Sequence, residues 1–375
     1  MKLLTIIGAR PQIIKAAAIS RAVNNLFSSQ VEEHILHTGQ HYDLNMSQIF
    51  FDELGIPQPN YNLGVGSGSH GVQTAKMISG IEEVLQQEAF DGVILYGDTN
   101  STLAGAVAAA KLHVPVFHVE AGLRSFNMSM PEEINRILCD HASSICFAPT
   151  QTAINNLAHE GLTNSPAHFL KGHRRLVVLS GDVMFDNSIF FAQVAHEHSH
   201  ILEQHGLIPE GYILATIHRD HNTDDTKRLS SIIRALADIS ESDHIPVVLP
   251  LHPRTRVKLE HQHDISQVQL SKLTIIPPVS FLDMTQLEKN ARIVMTDSGG
   301  VQKEAFFFEK PSVILRPETE WVEIIDHQAG LIADADYQRI VDAYAHLVGH
   351  PVHFPPLFGD AHASEKILQT IINYL

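Results

Sequence analysis

GDTNSTLAGAVAAAKLHVPVFHVEAGLRSFNMSMPEEINR, residues 97–136, is the stretch from which the fold can be read. It follows Val93-Ile94-Leu95-Tyr96, a short apolar run that ends at Gly97-Asp98, and it contains a second such run, residues 114–119, that ends at Glu120. Both acids therefore fall where a buried parallel strand empties into its loop. Such strand ends are where open α/β sheets bind ligands. Pro131 then opens a helix as its first residue, which puts Glu132 and Glu133 in the first turn, where unpaired backbone N–H groups favour negative charge. Taken singly, Asp98 reads as a cap for the helix starting near Ser101, and the first-turn acids read as complements of the helix dipole. Together, at corresponding strand ends, these carboxylates mark a site.

The rest of the composition narrows the class. At 375 residues, and at about 100–200 residues per domain, two domains are expected. With 44% hydrophobic and 18% charged residues the chain has the balance of a globular enzyme rather than a disordered segment. The net charge of −16, from 26 Lys and Arg against 42 Asp and Glu, argues against a nucleic-acid binder. An anionic ligand would instead be held by a few local cations and helix N-termini. Cys139 and Cys146 stand without a CxxC pair, so neither a disulfide framework nor a zinc site is expected, and a reducing cytoplasm fits. No apolar run approaches about 18 residues, so no membrane span is expected, and the 25 histidines are scattered rather than set at metal-ligand spacing.

Along the chain, strand and helix alternate. Residues 2–7 form an apolar run, Gly8-Ala9-Arg10 a turn, and Pro11 opens a helix to about Asn25. Arg10 and Lys15 then flank the positive end of that helix, an arrangement suited to a diphosphate. Residues 31–37 read as a strand, Gly39-Gln40-His41 as its loop and 46–54 as a helix. Residues 66–71 match GxGxxG, but the preceding run is short and follows a proline-bearing loop, so a dinucleotide site is rejected in favour of a loop entering the next helix. Between 162 and 175 the pattern lapses into polar and basic residues. The domain junction is placed there: 1–172, completed by a C-terminal helix at 359–375, and 173–358. A second alternating set is expected to begin with a strand at 176–180. Its further strands end in His218-Arg219-Asp220-His221, in His252-Pro253, and in Thr296-Asp297-Ser298-Gly299-Gly300, whose glycines would let backbone amides approach a phosphate. A plain tight turn with a capping serine is the alternative reading of that last segment.

Two βα sets with ligand-type turns imply an α/β architecture of two Rossmann-like domains facing across a cleft, which resembles the GT-B fold. Gly8-Ala9-Arg10-Pro11 with Lys15, Gly97-Asp98-Thr99, His118-Val119-Glu120-Ala121-Gly122-Leu123-Arg124, Pro131-Glu132-Glu133 with Asn135-Arg136, and Thr296-Asp297-Ser298-Gly299-Gly300 together resemble the non-hydrolysing UDP-N-acetylglucosamine 2-epimerase family, in order over nearly the whole chain.

That resemblance implies an isomerase that inverts C2 of a UDP-N-acetylhexosamine by eliminating and re-adding UDP through a 2-acetamidoglucal, with no redox cofactor and no metal. It implies Asp98, Glu120 and Glu132 as acid/base and cation-stabilising carboxylates, and His218, Arg10 and Lys15 as supports for the leaving diphosphate. Ser298, Gly299, Gly300 and Glu304 would hold UDP, and the protein would be a cytoplasmic homodimer. Thr319-Glu320-Trp321-Val322-Glu323 departs from the family pattern by losing a cation expected near UDP; Val279 and Met284 replace a glutamine and a phenylalanine. With Ser125-Phe126-Asn127-Met128, these changes resemble the sub-branch acting on modified UDP-sugars such as a 2,3-diacetamido uronate, for surface polysaccharide such as O-antigen. The sugar would then meet Asn127, and its carboxylate would pair with Arg124, Arg136 or Arg219. A plain UDP-N-acetylglucosamine 2-epimerase is the alternative, followed by a hydrolysing epimerase, a GT-B glycosyltransferase, which has no reason for three acids in its first domain, and a binding protein without turnover.

Overall fold

Among the described residues, thirteen short strands, almost all of them apolar runs, build two parallel sheets. The computed structural model describes residues 1–39, 56–165, 175–251, 255–256, 259 and 267–375. The loop at Gln40-His41, the helix expected at 46–54 and His252-Pro253 lie outside the described residues.

The first unit comprises Met1–Asn187 and Pro356–Leu375. Its strands are β1 (Lys2–Ile7), β2 (Glu32–His37), β3 (Tyr61–Asn62), β4 (Gly92–Tyr96), β5 (Val116–Val119), β6 (Ile145–Ala148) and β7 (Leu176–Leu179). They lie in the order β3-β2-β1-β4-β5-β6-β7, every neighbouring pair parallel. Leu3, Leu4, Ile6, Ile7, Val93 and Leu95 are fully buried, as strands covered by helices on both faces require. The order reverses between β1 and β4, and the ligand crevice of such a sheet lies beyond the strand ends at that reversal.

One expectation is corrected here. Residues 176–179 do not begin the second domain; β7 extends the first sheet, with Ile145 opposite Leu176 and Ala148 opposite Leu179. The polar stretch before it is a connection within this unit, because the edge of β6 still needed a parallel partner for its backbone groups. The chain leaves the unit along the Val183–His198 helix and returns to it at Pro356. There the buried Asp186 carboxylate accepts the N–H groups of Ala363 and Ser364 at 3.0 and 2.7 Å and the Ser364 hydroxyl at 2.6 Å, fixing the Ala363–Tyr374 helix.

The second unit, Ser188–Pro355, contains β8 (Ile213–Thr216), β9 (Val247–Pro250), β10 (Thr274–Ile276), β11 (Ile293–Thr296), β12 (Ser312–Ile314) and β13 (Gly330–Ile332). Their order is β10-β9-β8-β11-β12-β13, again all parallel, with the reversal between β8 and β11. The amphipathic Thr226–Asp243 helix, capped by the Asp225 carboxylate, buries Leu229, Ile232, Ile233 and Leu236 against this sheet. Both units thus have the doubly wound Rossmann order. The GxGxxG segment enters the His70–Gln87 helix from the two-residue edge strand β3, and a methyl group at Gly66, Gly68 or Gly71 would meet nothing within 4 Å. The close helix–strand packing that requires the third glycine of the dinucleotide fingerprint is thus absent at Gly71 among the described residues. Among the described residues no helix is long and apolar enough to cross a membrane.

Candidate active site

In the first unit Asp98 and Glu120 stand at the ends of β4 and β5, beside the end of β1. Gln12 sets this geometry: its Oε1 accepts the N–H groups of Gly8 and Ala9 at 2.9 and 3.2 Å, and its Nε2 donates to the Tyr96 carbonyl at 2.9 Å and Thr102 Oγ1 at 3.0 Å. The turn after β1 is thereby tied to the end of β4. Gly8 is required there, since a Cβ would lie 2.1 Å from Ser101 Oγ and 2.2 Å from Thr38 Oγ1.

Lys15 Nζ forms an ion pair with Glu120, both side chains largely buried. Lys15, expected among the diphosphate cations, therefore neutralises a catalytic candidate in this state. Glu120 itself has φ of +71°, a left-handed conformation that a non-glycine residue adopts at a cost of about 1–3 kcal/mol and that is concentrated at functional sites. Arg136 pairs with Asp98 and reaches Glu133 Oε2 at 3.0 Å. Burial alone would lower its pKa, but Asp98, Glu133 and Glu120 together raise it, so one guanidinium lies in the field of three carboxylates.

Glu133 is buried, and burial would push its carboxyl up. The N–H groups of Ser125 and Phe126, at 2.9 and 2.8 Å, and Arg136 outweigh that and hold it below the ordinary value. It is an anchor for the 125–126 loop. Glu132 stays exposed on the first helical turn, and Arg10 is exposed at the start of the Arg10–Ala22 helix. Asn127 is exposed and its Oδ1 accepts the Ser129 N–H at 3.1 Å. Arg124 does not fit its expected part: its guanidinium is 1% exposed and donates to Asp140 at 2.7 Å, to both oxygens of Glu160 at 2.7 and 2.8 Å, and to the Leu123 carbonyl at 2.8 Å. With its donors taken inside the unit, Arg124 holds structure and is withdrawn from the sugar-binding set.

In the second unit the ends of β8 and β11 form a pocket of about 380 Å³ lined by His218, Arg219, Ser298, Gly299, Gly300 and Trp321. The fully buried Asp297 organises it, accepting from His218 N at 3.0 Å, Arg219 N at 3.1 Å and Asn222 Nδ2 at 3.0 Å, while Arg219 Nε donates to the Asp297 carbonyl at 3.1 Å. Ser298 caps the Gly299–Phe307 helix, whose first-turn N–H groups make a ready anion site. Trp321 closes one side through Nε1–H to the Gly299 carbonyl at 2.9 Å. Lys303 Nζ lies 4.3 Å from the centre of its ring, so a cation stands beside this turn although the 319–323 segment lacks one. On the same helix burial pushes the Glu304 carboxyl up to about 7. Glu288, facing it from the Phe281–Asn290 helix, is raised further by burial and by the like charge of Glu304.

Sequence reasoning missed Gln12, Asp140 and the stapling role of Trp321, none of which carries a local spacing signal. Among the described residues no cluster of His, Cys, Asp and Glu could hold a metal ion.

With this geometry described, the chain can be set beside known proteins. Residues 25–372 match the family model described as UDP-N-acetylglucosamine 2-epimerase. The chain is 49% identical over 370 residues to the UDP-2,3-diacetamido-2,3-dideoxy-D-glucuronate 2-epimerase of Pseudomonas aeruginosa, covering 98% of this chain and 99% of that protein. It is 38% identical to the crystal structure of Methanocaldococcus jannaschii UDP-GlcNAc 2-epimerase in complex with UDP-GlcNAc and UDP, with a TM-score of 0.79 over all of both chains. A Phytolacca americana UGT2 structure complexed with UDP-2fluoro-glucose matches at a TM-score of 0.60 and 10% identity, covering 99% of this chain and 93% of that one, a likeness of fold alone that agrees with a GT-B-like architecture.

Proposed function

Since the chain belongs to the UDP-N-acetylglucosamine 2-epimerase family and is an isomerase of that type, we propose how its residues divide the reaction and which sugar it inverts. The C2 proton of a UDP-N-acetylhexosamine is not beside a carbonyl, so direct deprotonation is slow. Elimination avoids this: a base takes the C2 proton, the anomeric C–O bond breaks with its electron pair leaving on UDP, and a C1=C2 bond forms. UDP then returns to C1 while a proton arrives on the opposite face of C2. Asp98, Glu120 and Glu132 supply the base, the acid and the carboxylate that stabilises developing oxocarbenium charge. Ser298, Gly299, Gly300 and Glu304 hold UDP, and His218 with Arg10 supports the departing diphosphate. Lys15, which is paired with Glu120 in the structure, would join them at the diphosphate.

The observation that carries this reading is Arg136 in the field of Asp98, at the end of β4, and Glu120, at the end of β5. Turnover in deuterium oxide without added nicotinamide should place solvent deuterium at C2 of the product; full retention of the original hydrogen there would exclude the mechanism.

The substrate we propose is UDP-2,3-diacetamido-2,3-dideoxy-D-glucuronate, supported by the 49% identity to the Pseudomonas aeruginosa enzyme. With Arg124 occupied internally, the uronate carboxylate would pair with Arg136 or Arg219, and Asn127 would contact the sugar. The enzyme would act as a cytoplasmic homodimer in surface-polysaccharide synthesis. Comparing kcat/KM for the diacetamido uronate and for UDP-N-acetylglucosamine on one preparation decides the substrate; a higher value for UDP-N-acetylglucosamine would make this a plain epimerase.

A further inference from the structure

Behind the carboxylate-bearing turns lies a buried ionic chain that the reaction does not touch. His118, on β5, is fully buried with Nδ1 2.6 Å from Asp140 Oδ1 and Nε2 2.8 Å from the Gly97 carbonyl oxygen. Both neighbours can only accept here, a carbonyl always and Asp140 as the carboxylate it is in this setting, so both ring nitrogens must donate and the ring is an imidazolium. The second oxygen of Asp140 accepts the Gly122 N–H at 3.1 Å and lies 2.7 Å from Arg124 Nη1, and Arg124 is in turn held by Glu160.

Asp140 therefore reaches two turns at once. Through His118 it holds Gly97, the residue before Asp98, and through the Gly122 N–H it holds the turn that begins at Glu120. These turns need holding, because Gly97, Glu120 and Gly122 have φ of +61°, +71° and +81°. We propose that Asp140 is a positioning residue that fixes Asp98 and Glu120 relative to one another by clamping both turns, directly at Gly122 and through a permanently protonated His118 at Gly97. This rests on the carboxylate roles proposed above and deepens them.

Burial works against the charge of His118, but Cys139 and Asp140 overcome it and hold its pKa well above the ordinary histidine value. The ionisable groups around the pair are Cys139 on the same helix as Asp140, Cys146 on β6, Arg124 with Glu160, and Arg175, which donates to the His141 carbonyl at 2.6 Å. The arginines are cations and Glu160 is paired with Arg124, so Asp140 is the carboxylate to which the His118 ring donates.

The test is Asp140→Asn, assayed for epimerisation of both UDP-sugars across pH 5.5–8.5. Loosened turns misplace the carboxylates, so kcat should fall on the order of 10–100-fold while KM stays within about twofold, because UDP is held elsewhere. Asparagine keeps these contacts only as weaker neutral hydrogen bonds, its amide donating to Nδ1 of a neutral ring whose Nε2–H still donates to Gly97, so the loss should be the same at every pH, and Asp140→Ala, which also removes the acceptor of Gly122, should lose more. Wild-type kcat in both variants, or a loss of kcat matched by a rise in KM, would reduce Asp140 to a structural residue and overturn the proposal. Should Asp140→Asn fail to fold, His118→Phe decides: it keeps a ring of similar size but removes the donor to Gly97, so a reduced kcat with unchanged KM supports the clamp, and wild-type kcat or a parallel rise in KM refutes it. A wild-type enzyme inactive on both sugars would instead overturn the functional reading.

Discussion

Trp321 donates its indole N–H to the backbone carbonyl of Gly299 at 2.9 Å, which fastens the phosphate-type turn to the 319–323 segment. Trp321→Phe keeps most of the packing and the surface that Lys303 overlies but leaves that carbonyl without its donor. A lost hydrogen bond of about 1 kcal/mol corresponds to roughly a fivefold change. Calorimetric titration with UDP-N-acetylglucosamine should show Kd rising about fivefold with little change in kcat. An unchanged Kd would mean that the turn is rigid without the indole.

Glu120→Gln removes charge from a left-handed position and leaves the Lys15 ammonium unpaired. An amide cannot stabilise developing positive charge at C1, so kcat should fall on the order of 100-fold or more. Mass spectrometry should also find free UDP and glycal, because re-addition slows with elimination. A fully active variant would remove Glu120 from the chemistry.

Arg136→Lys tests the fork. The guanidinium spans Asp98 and Glu133 with separate nitrogens, and a lysine ammonium cannot reproduce that geometry. We expect kcat/KM to drop about tenfold for either UDP-sugar, and more for the uronate if Arg136 also meets its carboxylate. Equal activity of Lys and Arg at 136 would show that only the charge matters.

Burial of Glu304 raises its carboxyl to about 7, and an ionised carboxylate accepts hydroxyl hydrogen bonds better than a neutral acid. Affinity for a UDP-sugar, whose diphosphate does not titrate in this range, should therefore strengthen from pH 6 to pH 8 with a midpoint near 7. Glu304→Gln should bind more weakly at pH 8 and lose that midpoint. A flat wild-type profile would contradict the role.

Glu288 gives the corresponding stability test. Its Oε1 is buried without a hydrogen-bond partner among the described residues, and its folded pKa lies well above the unfolded value near 4.5. A raised pKa gives stability that is present below the unfolded value and lost as pH rises above it, because only the unfolded chain ionises freely. Glu288→Gln removes that dependence. Its Tm relative to wild type should gain a few degrees between pH 5 and pH 8; a constant difference would show that Glu288 does not titrate with unfolding.

The strand ends were legible because parallel strands buried on both faces leave continuous apolar runs, and such runs stop where acids and glycines begin. Asp98, Glu120, His218 and Ser298 could be found that way. Gln12 and Asp140 could not: their partners stand at Gly8 and Tyr96, and at His118 and Arg124, and a lone glutamine or aspartate inside a helix carries no sign of which turn it will staple. Arg124 was misread for the same reason, since charge in a motif looks alike whether it faces a ligand or a buried carboxylate. The strand at 176–179 was assigned to the wrong unit because polar composition marks a connection without saying which sheet the next strand will join.

The return of Pro356–Leu375 to the first unit has a consequence for biosynthesis. The last helix of that unit is translated after the whole of Ser188–Pro355, and at about 5–20 residues per second the delay is on the order of ten to thirty seconds. During that interval Asp186 lacks the N–H and hydroxyl donors of Ala363 and Ser364, so the first unit waits on the ribosome with a carboxylate unsatisfied and the surface for its closing helix uncovered. The nascent chain is most open to chaperones and proteases in that window, and substitutions at Asp186 should lower the yield of folded protein more than the activity of the molecules that do fold.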